Sequence, residues 1–99
     1  MTTPAPAIQL TPNPSAAELD RLGVKQWPIW EKEASTFDWY YDEPETCYLL
    51  AGRVTVTPEG GEPVTFGTGD LVRFPAGMGC VWQIHEDVKK HYQFWSLPD

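Results

Sequence analysis

From residue 28 onward the chain consists of short runs rich in aromatic and β-branched residues, each closed by proline, glycine or a polar turn residue. The runs fall at 28–32, 36–41, 46–50, 53–57, 64–66, 71–74, 81–85 and 89–95. Such side chains suit a pleated, half-buried surface, and short strands at this spacing predict a β-sandwich or barrel. Between the strand runs, Pro58-Glu59-Gly60-Gly61-Glu62-Pro63 reads as a hairpin tip, and Pro75-Ala76-Gly77-Met78-Gly79 as a tight turn. Gly67, Gly69 and Asp70 turn the chain between two further strands. Ahead of the β region, Ser15-Ala16-Ala17-Glu18 has the S-x-x-E form of a capping box. With Leu19 and Leu22 apolar and Gly23 as a stop, it predicts one short helix over 15–22. Residues 1–14 carry four of the ten prolines and little periodicity, so they read as an extended or mobile arm ahead of a single domain over 15–99. Ile8 and Leu10 in that arm suit strand addition to a neighbouring barrel.

Composition narrows the partners. At 99 residues, 14 Asp and Glu against 7 Lys and Arg leave a net charge of −7, a field that repels nucleic acid and anionic membranes. No apolar run approaches the roughly 20 residues of a membrane span, and the first residues lack the basic and apolar segments of a secretory signal. The expectation is a soluble, cytoplasmic protein with no nucleic-acid or membrane partner. Five tryptophans let a small barrel fill its interior with few, large side chains.

Two spacings carry the candidate chemistry. Trp39, Tyr41, Glu45 and Gly52 form W-x-Y-x3-E-x6-G; Gly69, Pro75, Gly77 and Cys80 form G-x5-P-x-G-x2-C, with sixteen residues between Gly52 and Gly69. This pair resembles the two signature motifs of the cupin family, in the right order, with the glycines and the proline kept. The resemblance implies an all-β cupin jelly roll, a conical β-barrel with a short N-terminal helix, often a homodimer. It also implies that Trp39, Tyr41 and Cys80 stand where three metal-binding histidines would be, while Glu45 keeps the acidic position. A nearer likeness, at 27–31, 37–42, 45–48 and 69–77, is to the small cupins grouped with the cupin domain of (S)-ureidoglycine aminohydrolase; it transfers no substrate.

Tested against metal chemistry, the ligand positions are poor. Transition metals take at least three imidazole, thiolate or carboxylate donors. Here they offer Glu45, Cys80 and weakly Tyr41, whereas the Trp39 indole only donates. The residue reading therefore expects no cofactor, with Mn, Fe, Ni or Zn on Glu45, Cys80 and Tyr41 as the alternative. If Cys80 faces inward, strand alternation turns Trp82 and Ile84 inward and His85 outward; the face of His91 stays open. Cys47, two residues beyond Glu45, shares its face. The two thiols read as small buried hydrophobes, with a metal or redox role as the alternative.

The candidate pocket is Trp39, Tyr41, Glu45, Cys47, Cys80 and Trp82, with Glu45 and Tyr41 as catalytic candidates. A carboxylate inside a barrel needs a cation, several hydrogen bonds or a proton; Tyr41, Arg73 and Lys90 are its candidate partners. Three functions fit: binding a small organic molecule without a catalytic metal, a metal-dependent enzyme of altered ligation, or a non-catalytic structural protein. The first is the leading expectation.

Overall fold

The computed structural model describes residues 8–94. Its elements are β1 (Gln9–Pro12), α1 (Ala16–Leu22), a 3-10 turn (Val24–Gln26), β2 (Ile29–Lys32), β3 (Ser35–Tyr41), β4 (Glu45–Pro58), β5 (Val64–Gly67), β6 (Asp70–Phe74) and β7 (Met78–Phe94). All strand pairs are antiparallel. β4 and β7 pair with each other along nearly their whole length, and each serves two layers. In one layer β1–β6 lie beside the first part of β4, and β2 beside the last part of β7. In the other, β5 lies beside the second part of β4, and β3 beside the first part of β7. The layers close on a core of Leu49, Val54, Val56, Phe66, Val72, Phe74, Trp82 and Ile84 among others, as a jelly-roll barrel does.

The structure joins four of the expected strands into two. The runs 46–50 and 53–57 are one strand, and 81–85 and 89–95 are one strand through Phe94; Trp95 lies outside the described residues. Gly52 and Asp87 mark a shared bend where both strands pass from one layer to the other. Register shifts in β4 fall between Leu49 and Val54, and the buried positions change from 45, 47 and 49 to 54 and 56 across them, as a β-bulge requires. At Gly52, with φ +110°, a Cβ would meet the Asp87 carbonyl oxygen at 2.6 Å and the Val88 Cα at 2.9 Å.

Where the sequence suggested an arm over 1–14, Gln9–Pro12 form an edge strand on β6, pairing Leu10 with Val72, so strand addition occurs within the chain. Residues 1–7 of that stretch lie outside the described residues. The helix starts as expected: the Ser15 hydroxyl accepts the Glu18 N–H at 3.1 Å, and Gly23 closes it with φ 74°. Instead of reaching back to Ser15, the Glu18 carboxylate pairs with Arg21 at 3.5 Å. After the helix, Val24 and Trp27 are buried, docking the segment onto the outside of β7. Among the described residues no helix is long and apolar enough to cross a membrane.

The bend makes Gly52 the most demanding backbone position. Gly52→Ala should lower the unfolding free energy by at least about 2 kcal/mol, through positive-φ strain and backbone collision. Gly60→Ala, at φ +69° in open space, should cost about 1 kcal/mol. Denaturant titration of both variants checks the difference.

Candidate functional site

Alternation along the strands decides which side chains meet inside. On β3, Phe37, Trp39 and Tyr41 share the inner face; on β7 the even positions from Met78 to Phe94 do so, except Glu86 at the bend, which pairs with Arg53 at the surface, and this brings Trp82, Lys90, Tyr92 and Phe94 to one end of the barrel. With Trp30 from β2 and Glu45 at the start of β4, they line a cavity of about 180 Å³. Trp39 and Phe94 are 46% and 42% exposed and form its mouth. Tyr41, Trp82, Glu45 and Lys90 are buried and form its floor and walls.

The charged floor is a single ion pair. Lys90 sits opposite Leu49, four rungs along the β4–β7 ladder from Glu45. Its four-carbon stem runs back along the barrel so that Nζ donates to Glu45 Oε2 at 2.7 Å. Both side chains are under a tenth exposed. The ammonium lies 4.9 Å from the ring centre of Trp30, 4.8 Å from that of Trp82 and 6.0 Å from that of Tyr92. Three electron-rich faces and one carboxylate thus replace its water shell. Of the three partners expected for Glu45, Lys90 holds the carboxylate, and Arg73 is exposed on β6.

Tyr41 stacks on Phe74 with ring centres 4.8 Å apart, and its hydroxyl oxygen accepts the Trp82 indole N–H at 3.2 Å. Burial first, then the Glu45 carboxylate, push the Tyr41 hydroxyl well above the ordinary phenol range, so it remains a neutral donor. Its own proton has no acceptor among the described residues. Cys47 and Cys80 were expected in the pocket. The structure buries both as free thiols behind it, because the larger in-facing rings reach the cavity where short side chains do not. The Cys80 thiol donates to the Trp39 carbonyl at 3.6 Å.

The histidines are placed as well. His85 faces away from the core and shares a 2.8 Å hydrogen bond with the Thr55 hydroxyl. His91, whose face the sequence left open, lies outside the barrel wall, where its Nδ1–H donates to the Trp27 carbonyl at 2.9 Å and pins the segment that follows the helix.

Residues 19–92 match the EutQ-like cupin domain. The chain belongs to this cupin family. A protein of the DUF861 family from Thermotoga maritima is similar at 48% identity over 90% of this chain and 100% of its own, with a TM-score of 0.87. A DUF861-family protein from Pseudomonas syringae shares 28% identity over 68% of this chain and 29% of its own, with a TM-score of 0.61. The EutQ protein of Clostridium difficile shares the fold at 22% identity and a TM-score of 0.62; the match covers 68% of this chain and 52% of EutQ. No functionally curated protein matches. The likeness to ureidoglycine aminohydrolase rests on the motifs quoted above, and these matches do not extend it.

Cupins of the motif-bearing kind hold a metal at the positions of Trp39, Tyr41, Glu45 and Cys80, and in this cupin those residues do not fit one. Glu45 is committed to Lys90, the Cys80 thiol to a backbone carbonyl and the Tyr41 oxygen to Trp82. Among the described residues no group of three or more His, Cys, Asp and Glu stands together as a metal site. Sequence reasoning missed Trp30, Phe37, Tyr92 and Phe94 as pocket residues. Continuing the Cys80–Trp82–Ile84 alternation through Asp87 would have found the β7 pair.

Burial pushes the Cys47 thiol up to about 12, with Lys90 pulling it down and Glu45 adding to the rise. Burial, then Glu45 and Glu59, push Cys80 up to about 11. At pH 8 about one Cys80 in a thousand is then a thiolate, against about a quarter for an ordinary cysteine. Native protein should thus react with a disulfide reagent at least about a hundredfold more slowly than unfolded protein, Cys80 ahead of Cys47, and rapid reaction at either would contradict their placement.

Proposed function

We propose that this cupin binds a small, neutral organic molecule inside the barrel without a catalytic metal, at a degenerate metal site. The observation that carries this reading is the composition of the cavity: aromatic walls around one self-neutralised ion pair and one neutral phenol. Its volume, about 180 Å³, lies below the ~300–1,000 Å³ of pockets for drug-sized ligands, so the occupant is smaller than those. Flat rings such as Trp82 and Phe37, stacked at 6.1 Å and 16°, favour a planar molecule.

Charge selects among planar molecules. Glu45 and Lys90 satisfy each other, and among the described residues no third charged side chain lines the cavity. An ionic ligand would arrive with no counter-charge, at a cost of several kcal/mol in such a site. A neutral ligand with a polar edge meets both halves of the pair: an acceptor faces the Lys90 ammonium or the Tyr41 hydroxyl, and a donor faces Glu45. On this reading Glu45, Lys90 and Tyr41 orient the ligand, and Trp30, Trp39 and Trp82 supply its contact area.

A library of small planar compounds, scored by tryptophan fluorescence and by the rise in melting temperature, tests the proposal. Neutral members should bind, and anionic or cationic analogues of the same shape should bind at least tenfold more weakly. Glu45→Gln, folded by circular dichroism at 25 °C, should lose that binding. Hits dominated by charged compounds, or undiminished binding to the variant, would contradict it.

A further inference from the structure

We infer that Lys90 is a nucleophile that condenses with small neutral aldehydes or ketones to form a Schiff base, with Glu45 as its proton carrier. This rests on the pocket being a ligand site, and it names the ligand class as carbonyl compounds. A buried ion pair is a poor source of stability, since apolar residues of the same volume often do as well or better. Here the pair stands at the floor of an open cavity, with both residues among its lining, and its position invites a chemical explanation.

The geometry supplies each part of the condensation. Proton transfer from Nζ to the carboxylate across the 2.7 Å contact gives a neutral amine and a carboxylic acid without a proton leaving the site. The Nζ lone pair attacks the carbonyl carbon. An N–C bond forms, the C=O π pair moves to oxygen, and that oxygen takes the Glu45 proton. The surplus proton on nitrogen returns to the carboxylate, leaving a neutral carbinolamine beside a protonated Glu45. Glu45 then protonates the hydroxyl; the C–O bond breaks, water leaves, and the nitrogen lone pair forms C=N.

The product is an iminium cation beside the Glu45 carboxylate, the same pair of charges as at the start. No oxidant or reductant is needed. The rings of Trp30, Trp82 and Tyr92 that face the ammonium then face the iminium, so the cage stabilises the beginning and the end of the sequence alike. Tyr41, neutral, lining the same cavity and with no acceptor for its own proton among the described residues, can donate to the carbonyl oxygen as charge develops there.

Benzaldehyde, neutral and planar, is the probe, with sodium cyanoborohydride to reduce any imine to a stable benzylamine and peptide mapping to locate it. In the intact protein Lys90 should be benzylated at least tenfold faster than the exposed Lys25, Lys32 and Lys89, although it is the most buried of the four. Glu45→Gln should slow the Lys90 reaction at least tenfold and leave the surface lysines unchanged. Fluorescence quenching by benzaldehyde with no preference for Lys90 would overturn the nucleophile while leaving the pocket standing. No quenching and no Lys90 product would overturn both.

Discussion

Everything inside this barrel is arranged around a carboxylate and an ammonium 2.7 Å apart. Removing both from water costs several kcal/mol per ion, and their attraction alone does not reliably recover it. The charge-assisted hydrogen bond contributes about 1.5–3 kcal/mol and each cation–π contact about 0.5–2. With three rings around Nζ, these sums bring the pair to rough balance rather than surplus. The aromatic side chains are thus a condition for the ion pair, and the ion pair in turn sets which ligands the cavity can accept.

The fold provides the setting through the bend shared by β4 and β7. Because both strands cross from one layer to the other near Gly52 and Asp87, Trp82 and Lys90 come from the same strand yet from different walls, and their side chains converge. A straight β7 would carry them apart along one sheet. Gly52 permits the close approach of the two backbones at the crossing. The positive-φ glycines at Gly69 and Gly77 turn the chain tightly enough to return β6 and β7 to β4.

Much of this was legible in the residues. Turn chemistry and run spacing located the strands, alternation put Trp39 and Tyr41 on one face of their strand, and the cupin resemblance set Glu45 at the same cavity. The requirement that a buried Glu45 have a partner also followed from electrostatics, but three candidates were equal until the ladder register placed Lys90. What stayed hidden depended on continuity. Asp87 looks like the end of a strand because it is polar and follows Glu86, and only the register shifts that β4 and β7 share at the bend explain why β7 runs through it. The loss of that continuity concealed Tyr92 and Phe94. Trp30 was hidden for a different reason: β2 is a short outer strand whose register with β7 no local pattern specifies. Cys47 and Cys80 were assigned the right face and the wrong depth, since alternation gives direction but not reach.

The most direct test of the ion pair as the organising interaction is a double-mutant cycle by denaturant unfolding at pH 7 on Glu45→Gln, Lys90→Met and the two together. Each single change strands a charge or a polar group in the aromatic box and should cost about 3–5 kcal/mol. The double variant should cost no more than either alone, a coupling of at least about 2 kcal/mol. Additive losses, or single losses below about 1 kcal/mol, would contradict the account.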